Sequence, residues 1–108
     1  MNNPKEFTWV GATERTDGTP YDSTERRGYN VYIYPAGESP TEVTFAAISQ
    51  ENDFTMPVSD LGNPLDEGDY EMVVTELPVK GRESDYSVPI TFSIVVANPK
   101  PPTGLTAS

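Results

Sequence analysis

Four acidic residues crowd one short stretch of the sequence and are the first candidates for chemistry: Asp60, Asp66, Glu67 and Asp69. Their carboxylate oxygens suit Ca²⁺, which prefers hard oxygen ligands. Paired carboxylates also hydrolyse glycosidic bonds where a deep cleft holds the sugar between them. The EF-hand spacing D-x-[DN]-x-[DN]-G is absent, and small β-domains rarely offer a deep cleft. The cluster therefore indicates a solvated, charged loop, with calcium as the one metal that it suits.

Other catalytic groups are scarce. The 108 residues include no histidine and no cysteine, which removes the commonest general base, the commonest metal ligand, and any thiolate or disulfide. A serine or threonine nucleophile needs an activating amine, and no S-x-x-K pattern is present. We therefore expect a non-enzymatic protein without a cofactor.

The overall charge and length exclude further classes of protein. Seventeen acidic and seven basic residues give a net charge of −10, which repels phosphate backbones and anionic lipid, so neither nucleic acid nor a membrane is an expected partner. The apolar run Ile94–Ala97 is far too short to span a bilayer, and residues 1–6 lack the pattern of a secretory signal. The length suits one domain.

Short runs of alternating hydrophobicity, punctuated by 11 prolines and 8 glycines, predict an all-β fold. The central strand is predicted over Arg27–Ala36, with Tyr29, Val31 and Ile33 on its inner face. Pro57 and Pro89 are expected at strand edges or bulges. The other strands are predicted at Glu6–Gly11, Glu42–Ile48, around Phe54–Val58, at Asp69–Leu77 and at Val88–Val96.

Tyr32 and Tyr34 lie on the outer face of the predicted central strand and are candidate contact residues. Tyrosines that point off a sheet suit protein or sugar partners. They also serve as cross-strand neighbours that stiffen a sheet, and we favour this second interpretation.

Trp9, the run Gly28-Tyr29-Asn30-Val31-Tyr32, and later Leu65, Gly68 and Tyr70 occur in an order that resembles fibronectin type III domains of bacteria and phages. The resemblance covers about Phe7 to Val96. It implies an immunoglobulin-like antiparallel β-sandwich over residues 1–97, with Tyr70 as a corner tyrosine whose hydroxyl bonds back to the backbone. The implied structural core contains Trp9, Tyr29, Val31, Leu65 and Tyr70.

The resemblance fails at the N-terminus, where the family has a proline-led first strand. Six residues before Phe7 are too few for it, whereas residues 98–108, NPKPPTGLTAS, resemble such a strand. To pair within its own domain, this tail would need to reach back about 30 Å, or about nine extended residues. The tail is therefore either a frayed end or the start of a following domain, or it adds a strand to a neighbouring copy and forms a homo-oligomer. In the last case Pro101, Pro102 and Leu105 contact the partner.

We therefore expect a structural or interaction module that docks through protein–protein contacts. The hypothesis is a phage virion protein, a capsid decoration or tail component, that contacts other virion subunits or itself. An apparently complete reading frame from Met1, no export signal and a tail suited to assembly favour it, because phage proteins leave the cell by lysis. The alternative is an extracellular spacer or carbohydrate-binding module from a longer secreted bacterial enzyme or adhesin.

Overall fold

The chain folds into two antiparallel β-sheets, and the computed structural model describes all 108 residues. Its strands are β1 (Glu6–Val10), β2 (Arg26–Pro35), β3 (Phe45–Ile48), β4 (Asp53–Pro57), β5 (Gly68–Pro78) and β6 (Ile90–Ile94). Strands β1 and β4 form a two-stranded sheet, and a four-stranded sheet has the order β3-β2-β5-β6. The only helical elements are two short 3-10 turns, Ser23–Glu25 and Val58–Leu61.

One apolar core joins the two sheets into a β-sandwich. Phe7 from β1 and Met56 from β4 meet Val31, Met72 and Phe92 from the larger sheet, and all five are buried. The rings of Phe7 and Phe92 lie with centroids 5.1 Å apart and so connect β1 to β6. Removal of these side chains from water is the main driving force for the packing of the sheets. The prediction of an all-β sandwich is confirmed at this level.

Strand β2 is one of the two inner strands of the larger sheet, and it is displaced by one residue from the predicted Arg27–Ala36. It pairs with β3 on one side and β5 on the other. Tyr29 and Val31 are fully buried on its inner face, and Ile33 is half-buried. The alternation of the sequence therefore identified both the strand and its inner face.

The start of β2 has two features that fix its geometry. Gly28 passes so close to β3 that a Cβ there would lie 1.9 Å from the carbonyl oxygen of Ala47. A bulge between Arg26 and Gly28 inserts Arg27 as an extra residue in the pairing with β5. Because a bulge shifts the alternation by one residue, Arg26 turns to the same face as Tyr29.

The last strand is shorter than the predicted Val88–Val96. Strand β6 begins only at Ile90, and Val88 is 86% exposed. Pro89 has no N–H to contribute to a ladder. Before Pro89 the chain still follows β5: the Ser87 N–H donates to the Val74 carbonyl at 3.0 Å, and the Val74 N–H donates to Ser87 Oγ at 2.9 Å. A side-chain oxygen thus replaces the backbone acceptor of a regular ladder.

Strand β3 is also shorter than predicted, because it begins at Phe45 rather than at Glu42. The residue before it, Thr44, uses its hydroxyl to accept the Ile33 N–H at 3.0 Å, and Val43 is left 44% exposed. Strand β4 ends at Pro57, which belongs to the two-stranded sheet, where every strand is an edge. This position agrees with the expectation for that proline.

Candidate functional site

One edge of β1 carries backbone groups without a partner. Strand β4 is the only neighbour of β1, and the Lys5 carbonyl and the Gly11 N–H both bond toward β4. In an antiparallel ladder this direction alternates from one residue to the next. The N–H and C=O groups of Glu6, Thr8 and Val10 therefore point away from β4, toward open space.

A cleft of about 1000 Å³ opens beside this edge. Strand β1 lines one side and residues 82–90 line the other, and we call this space the β1 cleft. Apolar side chains from both sheets reach it, among them Trp9, Tyr29, Met72 and Val74. The sandwich is thus open on this side, and part of its interior surface is accessible.

Three exposed apolar side chains lie at the rim of the β1 cleft. Val10 is 74% exposed on β1, and across the cleft Val88 is 86% and Ile90 48% exposed. Exposed apolar side chains grouped around a concavity are typical of interaction sites. The cleft therefore combines apolar surface with unpaired backbone groups.

Trp9, predicted in the core, is half-buried. Its indole packs against Phe54, with ring centroids 5.0 Å apart, and edge-on against Tyr29 at 5.4 Å. It also lines the β1 cleft, and its buried Nε1 has no hydrogen-bond partner. The side chain thus belongs both to the core and to the candidate site.

Tyr32 and Tyr34 lie on the predicted outer face of β2, but they are not open to a partner. Each is only 8% exposed, and both cluster with Val73. Tyr86, from the segment before β6, packs edge-on against Tyr32 with centroids 5.2 Å apart. Little of either ring is therefore accessible to a partner, because a segment distant in sequence covers this face.

Glu83 fastens the covering segment to the sheet. Its carboxylate accepts hydrogen bonds from the Tyr32 hydroxyl at 2.5 Å, the Thr75 hydroxyl at 2.7 Å and the Asn30 amide at 3.3 Å. Burial favours the neutral acid, but the three donors outweigh it and hold the pKa of Glu83 below its ordinary value of 4.5. The bond to Glu83 is also the main cause that raises the pKa of Tyr32.

Two serines continue this attachment along β5. Ser87 Oγ accepts the Val74 N–H, and Ser84 Oγ accepts the Glu76 N–H at 2.9 Å. Both serines also donate their backbone N–H to the carbonyls of the same two residues, at 3.0 Å. These four bonds position one wall of the β1 cleft.

Arg26 fixes the loops at one end of the cleft, and sequence reasoning missed it. Its side chain is fully buried, and Nε donates to Glu76 at 3.1 Å. Nη2 donates to the Ala12 carbonyl at 3.0 Å. Nη1 donates to Asn52 Oδ1 at 2.9 Å and to the carbonyls of Gln50 and Glu51.

Aromatic rings and a glycine complete the surroundings of Arg26. The guanidinium carbon lies 5.3 Å from the centre of the Tyr29 ring and 5.9 Å from that of Tyr21, distances suited to cation–π attraction. A Cβ at Gly11 would lie 2.3 Å from Nη2, so the close approach requires glycine. Burial raises the pKa of Tyr29 to about 12, and its hydroxyl donates to the Glu51 carbonyl at 2.6 Å.

The bond implied for the corner tyrosine is present. The Tyr70 hydroxyl donates to the carbonyl oxygen of Asp66 at 2.8 Å. Tyr70 and Leu65 are both half-buried and pack against the core from the crossing between the sheets. This bond closes the loop that leads into β5.

The acidic crossing shows no arrangement for a metal ion. No group of three or more His, Cys, Asp or Glu side chains lies close enough to hold one. Asp60, Asp66, Glu67 and Asp69 are all exposed, and Asp69 accepts a hydrogen bond from the Ser93 hydroxyl at 2.5 Å.

The C-terminal tail, residues 98–108, extends away from the sandwich. Every residue of the tail is exposed, Pro101 and Pro102 among them, and Leu105 is 98% exposed. The chain measures 80 Å along its longest axis but only 26 and 19 Å across. The structure thus does not bring the tail together with Tyr32 and Tyr34, the other predicted contact residues.

Comparison of the chain with protein-family models, curated proteins and solved structures found no match. None of its helical elements has the length and apolar character needed to cross a membrane.

Proposed function

We propose that this protein is a non-enzymatic interaction module that docks onto another protein through the open edge of β1. The observation that carries the proposal is the row of outward-facing backbone groups on Glu6, Thr8 and Val10 beside an apolar cleft. A partner strand that pairs with this edge satisfies the backbone groups, while its side chains enter the cleft.

The proposal includes a fibronectin type III-like fold. The structure packs a sheet of β1 and β4 against a sheet of order β3-β2-β5-β6. This is the arrangement of a fibronectin type III sandwich that lacks its first strand. The Tyr70–Asp66 bond supports this assignment, because a hydroxyl bonded four residues upstream at the start of a strand is a feature of these sandwiches. The unpaired edge of β1 is where the missing strand would lie.

A binding role is favoured over catalysis by the state of two of the five acidic residues that line the cleft. Glu76 is bonded to Arg26, and Glu83 is bonded to Tyr32 and Thr75. Both carboxylates are therefore engaged in holding the structure. With no histidine or cysteine in the sequence, the usual bases and nucleophiles are absent as well.

We place the protein in a phage virion, as a capsid decoration or tail component. The dense negative charge keeps such a module soluble at high concentration before assembly. The carbohydrate-binding alternative depends on Tyr32 and Tyr34 as an exposed platform, and at 8% exposure each they do not form one.

Site-specific photocrosslinking in the cells that carry the gene tests this proposal. A photoreactive residue at Thr8 should form adducts with a structural protein of the released particle, identified by mass spectrometry. The same residue at Ala46, exposed on the other sheet, is the control and should give few. Equal yields at both positions, or no adduct with any particle protein, would contradict docking through this edge.

A further inference from the structure

We infer that the β1 cleft binds the C-terminal tail of a second copy of this chain, so that the protein assembles head to tail. The inference rests on the proposed function and names its partner. The acceptor is the open edge of β1 with its apolar cleft, and the donor is the exposed tail.

The acceptor has room for one short strand. Strand β1 is five residues long, and its outward backbone groups belong to every second residue. An added strand of similar length exchanges hydrogen bonds with all of them. It also covers the apolar rim residues Val10 and Ile90, which water now reaches.

The tail contains a segment of matching length. Thr103–Ala107 is a run of five residues without proline, so each has an N–H to donate, and it follows three prolines that keep the chain extended. Leu105 lies at the centre of the run and is 98% exposed. If Leu105 points into the cleft, alternation places the small residues Thr103 and Ala107 on the same side.

Charge favours the tail over any other surface of a second copy. All 17 acidic residues and six of the seven basic ones lie in residues 1–97, so two sandwiches repel each other. The tail carries only Lys100 among its side-chain charges. The lining of the cleft contains five acidic residues and two basic ones, Arg15 and Arg82, and this excess of negative charge suits that lysine.

The tail of the same chain is poorly placed to fill this cleft. Asn3 is bonded to Val95 just after β6, since Asn3 Oδ1 accepts the Val95 N–H at 2.9 Å. Strand β1 starts three residues after Asn3, so it begins at the pole of the sandwich where the tail leaves. An antiparallel partner of β1 begins at the opposite pole, and the tail extends away from it.

Such a contact joins two different surfaces, one on each copy. Every copy therefore keeps one free cleft and one free tail after it has bound a neighbour. Heterologous contacts of this kind close into a ring or continue as a filament.

Complementation between two variants is the decisive experiment. Deletion of residues 98–108 removes the donor and leaves the body intact, because no hydrogen bond or buried residue involves them. Thr8→Pro removes an outward N–H without touching the ladder to β4. By analytical ultracentrifugation each variant alone should be monomeric, whereas a 1:1 mixture should form a heterodimer that grows no further. Wild-type protein should form larger species.

Two further variants distinguish this contact from nonspecific association. Thr8→Ala keeps the outward N–H and should assemble as wild type does. Leu105→Asp should weaken association about tenfold or more, because a charge replaces an apolar group in the cleft. Trp9 is the sole tryptophan and lines the cleft, so its emission should shift to shorter wavelength on assembly.

A synthetic peptide of residues 98–108 tests the contact without any variant of the protein. The peptide should bind the tail-deleted protein, shift its Trp9 emission to shorter wavelength and dissociate wild-type assemblies by competing with the tail. The inference is overturned if wild-type protein stays monomeric at its highest soluble concentration, if assemblies survive tail deletion, or if mixed variants form no heterodimer. Adducts at Thr8 with a different particle protein, together with a monomeric wild type, would overturn only this inference and leave the proposed function standing.

Discussion

Arg26→Ala removes the one charged side chain that is fully buried, and we expect it to lower the free energy of unfolding by about 3–5 kcal/mol. Most of this cost arises at Glu76, whose side chain is 13% exposed and would lose its cationic partner. The carbonyls of Gln50 and Glu51 belong to exposed residues and can bond to water instead, so they add little. The loss is a third or more of the stability of a typical small domain.

Urea denaturation followed by Trp9 fluorescence and circular dichroism measures this difference. Arg27→Ala is the matched control, because Arg27 is the neighbouring arginine and its side chain is exposed. The control should change stability by less than about 0.5 kcal/mol. If the free energies of unfolding of the two variants differ by less than about 1 kcal/mol, the buried hydrogen bonds and ion pair of Arg26 do not stabilise the fold as argued.

Two further substitutions test contacts at either end of β5. Tyr70→Phe removes the hydroxyl bonded to Asp66 and should cost about 1 kcal/mol by urea denaturation, whereas Tyr86→Phe, whose hydroxyl has no bond, should cost almost nothing; equal costs would refute the corner role. For Glu83, a pKa below the ordinary 4.5 means that its ionised form stabilises the fold at higher pH. The advantage of wild type over Glu83→Gln should therefore be full above pH 4.5 and decline as the pH falls below that value, and a difference that does not change with pH would contradict the bonds described.

Local alternation predicted much of the fold because the inner face of each strand repeats every second residue. Tyr29 and Val31 were assigned to the inner face in this way, and both are buried. The ends of the strands were less predictable. Val88 continues the alternation of apolar residues in β6, yet the chain before Pro89 accepts the Val74 N–H with the hydroxyl of Ser87. The alternation of the sequence does not indicate that bond.

The features missed by sequence reasoning depend on contacts between distant segments. Arg26 follows a polar turn and by simple alternation belongs on the outer face, but one bulge turns it inward. Tyr32 is covered by Glu83 and Tyr86, more than 50 residues further along the chain. Nothing in the local pattern around either residue indicates these partners. The missing first strand was expected from the sequence, but the residues of β1 whose backbone groups lack a partner were identified only from the strand order and pairing.

The contact between the N-terminal residues and β6 determines how the sandwich bears tension. Residues 1–3 lie parallel to the end of β6, with the Asn3 N–H donating to the Ser93 carbonyl and the Ser93 N–H to the Met1 carbonyl, both at 2.8 Å. A pull on Met1 and on the tail acts along these bonds in shear, so they resist together instead of breaking one after another. In a string of copies joined through their tails, tension would enter each unit at β1 and leave through the tail after β6, so this parallel pair would share the load with the packing of Phe7 against Phe92.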